Sequence, residues 1–158
     1  AKAVFNTIGF DSITVAPYMG RDSIIPFIED ETKGAFVLCL TSNKSAEDIQ
    51  YKKNITTVYE DIALLSMELN TNNNLGLVVG ATKPEQMTDL RELTEGLSWL
   101  IPGIGAQGGD LEQSITIGNN GGTGIVNVSR GILYAGDGSI DAIVKSAENY
   151  TKQIREIL

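Results

Sequence analysis

The feature that most constrains this sequence is a fivefold alternation of short apolar runs with longer amphipathic ones. Strands are predicted at 11–17 (DSITVAP), 34–42 (GAFVLCLTS), 74–81 (NLGLVVGA), 97–103 (LSWLIPG) and 124–130 (GIVNVSR). Most are nearly continuous runs of Val, Ile and Leu, the pattern of buried parallel strands. Helices are predicted at 20–30, 55–70, 83–95, 110–118 and 139–158. In the last, Ile140, Ile143, Val144, Ala147, Tyr150, Ile154 and Leu158 form an apolar stripe near helical spacing. Ser139 is a candidate N-cap and Pro84 a candidate first-turn proline. Residues 71–74 read as a turn, and 43–53 as an exposed polar excursion.

Repeated βα units admit two architectures, an open doubly wound sheet or a (β/α)8 barrel. Five units of roughly 30 residues each do not close a barrel of eight. The chain starts in AKAVFNT, which reads as the end of a helix with no strand before it. The expectation is an α/β fold over residues 1–158 as a single domain. It is either an open five-stranded domain or the C-terminal five βα units of a TIM barrel, strands 4 to 8, with the N-terminal units absent from the chain.

Composition narrows the function classes. The net charge of −8 and pI near 4.5 argue against nucleic-acid binding, which needs a basic face. No apolar run approaches the roughly 20 residues of a membrane span, so no membrane partner and no leader are expected. The single cysteine, Cys39, sits in AFVLCL and reads as a small buried hydrophobe. With no disulfide framework, the cytoplasm is the expected compartment. Histidine is absent, which removes Ser-His-Asp triads, Cys-His pairs and most zinc sites. Chemistry has to run on Asp, Glu, Lys, Arg, Ser, Thr or Tyr.

The segment LIPGIGAQGGD (100–110) carries four glycines, Gly103, Gly105, Gly108 and Gly109, around Gln107. GIGAQG satisfies the G-x-G-x-x-G dinucleotide fingerprint. That fingerprint normally opens the first βα unit, whereas only one more strand follows here. The acidic residue expected roughly 20 positions later is missing, since the next strand reads VNVSRG. The alternative pairs this loop with the next one. In a barrel the phosphate group often sits between the loops after strands 7 and 8, near a helix N-terminus. Small residues let backbone N–H groups approach the anion, and Arg130 offers a planar fork of donors. Gly131 leaves room beside it, and Gln107 adds a neutral donor. The plainer reading is that the glycines make tight turns and Arg130 is a surface charge. Thr41 and Ser42 end the second strand at the ligand-binding face, and Tyr18 and Asp22 follow the first. A serine at that position can bond an amide-like ligand or cap the next loop.

APYMGRDS (16–23), VLCLTSN (37–43), LVVGATKPEQM (77–87), IPGIGAQGGDL (101–111) and NVSRGILYA (127–135) occur in this order along the chain. Together they resemble orotidine 5'-phosphate decarboxylases, in particular the group with PYMG and LTSN motifs. The resemblance implies a (β/α)8 barrel that dimerises with active sites at the interface. It implies removal of CO2 from orotidine monophosphate to give uridine monophosphate (UMP), in pyrimidine biosynthesis, without metal or cofactor. Position by position, Gln107 and Arg130 resemble the phosphate-binding side chains, and Ser129 and Arg130 the backbone donors to the same phosphate. Ser42 resembles the serine that reads the pyrimidine amide edge, and Pro102 the residue lining the pocket near the base. The segment around Gln107 resembles a mobile loop that closes over substrate. The sequence departs from many relatives in SNKSA, where they have SNPGS.

A larger departure is an absence. The family's proton donor comes from a D-x-K-x-x-D motif at the end of the third strand, and nothing here fits it. The lysines stand at 2, 33, 44, 52, 53, 83, 145 and 152, and none ends a predicted strand. The chain is therefore expected to be the phosphate- and base-binding half of a site, with no catalytic residue of its own. Expected partners are orotidine monophosphate, a second copy in a homodimer, and a missing N-terminal segment. Two other readings remain open: a barrel enzyme acting on a sugar phosphate, and a non-catalytic nucleotide-binding half-barrel.

Overall fold

In a computed structural model of the protein, which describes residues 1–105 and 107–158, all five predicted strands are present. They are Ser12–Val15 (β1), Gly34–Leu40 (β2), Leu75–Val79 (β3), Ser98–Pro102 (β4) and Gly124–Asn127 (β5). The helices are Arg21–Ile24 (α1), Val58–Leu69 (α2), Pro84–Leu93 (α3), Leu111–Asn119 (α4), Arg130–Leu133 (α5) and Ile140–Ile157 (α6). A π-helical turn, Ala3–Ile8, precedes β1 and agrees with the helical reading of AKAVFNT.

Strand order decides between the two architectures. The sheet is wholly parallel and runs β1-β2-β3-β4-β5, with each strand beside its sequence neighbour. Right-handed crossovers that always step the same way place every helix on one face. A doubly wound sheet must reverse direction to cover both faces, and this one does not. The arc is that of a barrel wall. Its helix-covered face carries the core: Ala35, Val37, Cys39, Leu77, Trp99 and Ile101 are buried beneath the helices. The opposite face carries Phe36, Leu38, Leu100 and Pro102, which are half-buried, and Ile125, which is 45% exposed.

Local chemistry sets most element boundaries. Thr57 closes a capping box with Glu60, so α2 starts at Val58 rather than at 55. Ser139 caps α6 through Ala142 N–H at 3.2 Å, and Pro84 occupies the first turn of α3, both as predicted. The continuous helix predicted over 20–30 is corrected. Pro26 has no N–H to extend the ladder, and α1 passes into a 3-10 turn at Ile25–Phe27. The expected polar excursion at 43–53 contains a 3-10 turn, Lys44–Asp48, whose Ala46 is buried. The α6 stripe covers the core only in part, because Ile140 lies at its solvent-facing start and Tyr150 packs inward.

Buried Arg91 joins three elements at the N-terminal end of the sheet. Its guanidinium donates to Thr94 O (3.3 Å), Leu97 O (2.8 Å) and Gly118 O (2.6 Å), and stacks on Trp99 at 3.7 Å from the ring centroid. Burial lowers its pKa to about 10, so it is still a cation at neutral pH.

Candidate functional site

The strands end together at one rim, and there the candidate residues gather. Pro102 is the last residue of β4, and Asn127, its register partner, is the last of β5. The chain then passes through Ser129 into α5, which Arg130 opens. This corrects the expectation that Arg130 ends the strand. β5 stops at Asn127 and Ser129 adopts helical dihedrals, so Arg130 projects from the first turn of a short helix that the pattern had not revealed. No side chain caps α5. Ile132 N–H donates to Ser129 O at 3.2 Å, which leaves the Arg130 and Gly131 N–H groups without an intrahelical partner at this rim.

Between β4 and α4 the glycine-rich segment folds back on itself. Gly109 N–H donates to Gly103 O at 3.1 Å and Gly108 N–H to Gly105 O at 2.9 Å. Gly103 and Gly105 have φ of 102° and 73°, a region that disfavours side chains. The tight-turn role of the glycines is therefore real, but it does not exhaust the loop. Pro102, Gly103, Ile104, Gln107, Asn127, Ser129 and Arg130 line one cleft of about 180 Å3. Ala106, within the loop, lies outside the described residues. A larger cavity of about 570 Å3 lies beside α2, lined mainly by apolar groups and by none of these residues.

Four of the five sequence-predicted site residues, Pro102, Gln107, Ser129 and Arg130, thus share one small cleft. Among the described residues Arg130 forms no ion pair, and its side chain is exposed. The fifth, Ser42, is not on the cleft wall. It lies behind it, with its hydroxyl packed against Gly80 and Gly103. A Cβ built on Gly103 would stand 2.8 Å from Ser42 Oγ and 3.0 Å from Gln107 Oε1, so one glycine separates the two side chains. Ser42 Oγ is buried with no hydrogen-bond partner, which argues against its being a loop cap. The capping falls to its neighbours: Gln50 Oε1 accepts from Thr41 N–H at 2.9 Å, and Gln50 Nε2 donates to Thr41 Oγ1 at 2.7 Å. Asp22 makes no cap bond to α1, and Tyr18 is almost fully exposed. Cys39 is buried as expected, its thiol donating to Tyr59 O, and burial pushes its pKa far up.

Asn127 is the site residue that the sequence reading passed over. Its Oδ1 accepts from Ser129 Oγ at 3.1 Å and it faces the cleft with Pro102. The signal was present in GIVNV, where period-2 alternation puts 125 and 127 on one face and makes 127 the polar end of it.

The sequence matches the family described as orotidine 5'-phosphate decarboxylase / HUMPS over residues 1–151. The chain belongs to this family. Among relatives, the orotidine 5'-phosphate decarboxylase of Dehalococcoides mccartyi is 43% identical over 165 residues, covering all of this chain and 60% of that protein. The enzyme of the same name from Haloarcula marismortui is 43% identical, over 94% of this chain and 57% of its own length. In structure, 99% of the chain superposes on Leishmania donovani OMP decarboxylase with a TM-score of 0.88 and 35% identity, covering 61% of that chain. Leishmania donovani UMP synthase gives a TM-score of 0.87 and 38% identity, covering 35% of its longer chain. The five βα units are those of the decarboxylase barrel fold, and the chain spans about three fifths of the length of the curated relatives it matches. No helix among the described residues is long and apolar enough to cross a membrane.

Proposed function

We propose that this chain is the phosphate- and base-binding part of an enzyme that decarboxylates orotidine 5'-monophosphate to UMP, in pyrimidine biosynthesis. One observation carries the reading: Gln107, Ser129 and Arg130 converge with Pro102 on one cleft, and the unpartnered Ser42 hydroxyl stands one glycine behind it. Arg130 is a bidentate donor matched to phosphate oxygens, and the Gln107 amide and the open amides of α5 add neutral donors. Ser42 Oγ, buried without a protein partner, gains one when a pyrimidine amide edge arrives, and Pro102 forms an apolar wall beside the ring. Binding energy from the remote phosphate then orders the glycine loop and raises turnover at the ring.

The proton donor is assigned to βα units beyond this chain. No lysine ends an observed strand. Lys83, four residues beyond β3, is engaged over the Tyr51 ring at 5.0 Å and lies 3.9 Å from Glu47. In this reading the described strands are strands 4 to 8, and N-terminal units cover the half-exposed inner face and pair with β1 and β5. The exposed Tyr18 and Met19 beyond β1 support a homodimer. The free thiol of Cys39 suits a cytoplasmic enzyme.

The test is kcat/KM of the full-length protein on orotidine monophosphate and on orotidine, which lacks the phosphate. Arg130→Ala is expected to lower kcat/KM on the phosphorylated substrate far more than on orotidine. Equal losses on both overturn the reading. The 158-residue chain by itself is expected to show no decarboxylation. Competition by ribulose phosphate with no competition by UMP points instead to a sugar-phosphate enzyme.

A further inference from the structure

The two loops that form the cleft also meet α6. Two residues one turn apart on that helix reach them. Ser146 Oγ donates to Gly131 O at 2.9 Å. Tyr150 places its phenol tip against both loops at once. A Cβ built on Gly105 would stand 2.9 Å from the Tyr150 hydroxyl, and one built on Gly131 only 2.7 Å from the same oxygen. Neither glycine could carry a side chain here without displacing that ring. Gly105 follows Ile104 in the cleft wall, and Gly131 follows Arg130. Tyr150 is partly buried against the core and is not part of the cleft lining.

We infer that Tyr150 is a positioning residue, a brace wedged between the Gln107 loop and the Arg130 turn that sets the distance between the two phosphate-binding arms. The inference rests on the phosphate reading of the cleft. An aromatic ring suits the task, being rigid about few torsions and anchored by core packing. α6 itself is held at its start by the Ser139 cap, which ties the brace to a fixed helix. The chemistry predicts a selective effect. Moving the brace misplaces two donors for the same phosphate and leaves Ser42, just beyond β2, and Pro102, at the end of β4, where they are.

The test uses the full-length protein and measures dissociation constants for UMP and for uridine, with thermal unfolding as a folding control. Tyr150→Ala is expected to weaken UMP binding by about tenfold and uridine binding by less than about twofold. Tyr150→Phe keeps the ring but not the contacting oxygen, and is expected to fall between. Gly131→Ala is expected to weaken UMP binding in the native background and much less in the Tyr150→Ala background, because the added methyl then meets no phenol. Equal losses of UMP and uridine, no loss of either, or the same Gly131→Ala effect in both backgrounds would overturn the brace. Arg130→Ala serves as the reference. If it weakens UMP selectively while Tyr150→Ala does not, only the brace fails. If it shows no selectivity, the phosphate reading fails and takes the brace with it.

Discussion

Replacing Gly103 by alanine tests the geometry of the site most directly, because the consequences can be separated. The residue has φ of +102°, so any side chain strains the backbone, by about 1–2 kcal/mol. The new Cβ would also stand 2.8 Å from Ser42 Oγ and 3.0 Å from Gln107 Oε1. Both contacts are to the ends of side chains, which yield by leaving their rotamers at about 0.5–1.5 kcal/mol each. The total is about 2–5 kcal/mol. Gly96 supplies the control: its φ is +86° and a Cβ there meets nothing within 4 Å. Gly96→Ala therefore carries backbone strain alone. The loss of unfolded-chain entropy on Gly→Ala is common to both and cancels in the comparison. Urea unfolding of the two variants is expected to show Gly103→Ala less stable by about 1–3 kcal/mol. UMP titration is expected to show a loss of about 30-fold for Gly103→Ala, the equivalent of two displaced hydrogen bonds of about 1 kcal/mol each, and none for Gly96→Ala. Equal stabilities with unchanged UMP affinity would refute the placement of Ser42 and Gln107 around this glycine.

Ser42→Ala is expected to leave stability unchanged or raise it by up to about 1 kcal/mol, since it removes a buried hydroxyl with no partner, while UMP affinity falls several-fold; a lower melting temperature would show that the hydroxyl is bonded in the free protein. Arg91→Met takes the guanidinium donor from Leu97 O and Gly118 O, while Thr94 O keeps the Leu97 N–H, and is expected to cost about 2–3 kcal/mol in urea unfolding, with a shift below about 1 kcal/mol contradicting the clamp. Glu60 is held below its ordinary 4.5 by hydrogen bonds from the Thr57 N–H and hydroxyl. Its folded pKa is thus depressed, so its contribution is present above about pH 4.5 and is lost as pH falls through the folded value. Thr57→Ala is expected to cost about 1 kcal/mol at pH 7 and less near pH 3; a pH-independent difference in thermal melts would remove the carboxylate from the cap.

Much of this was legible in the sequence because it depends on local chemistry. The five strands are short Val-, Ile- and Leu-rich runs, the cap at Ser139 uses a side chain that reaches its own helix, and the Gly103–Gly109 segment needs residues that tolerate positive φ. Pairing of the two loops could be argued from their order along the chain. Asn127 escaped notice because a polar residue at a strand end looks like any turn residue until its register partner is known to be Pro102.

What the sequence alone determined is the periodic pattern and the chemical character of each strand end, since both follow from residue type and spacing. The choice between an open sheet and a barrel wall was left to the tertiary structure, because strand order depends on contacts between residues far apart in the chain. Tertiary packing likewise decided that Arg130 starts a helix rather than ending a strand, and that Ser42 and Gln107 meet across Gly103. It also brought Tyr150, which reads in sequence as one more apolar residue of the last helix, against two glycines from separate loops. Spacing reports which face a side chain occupies on its own element, and only folding brings another element against that face.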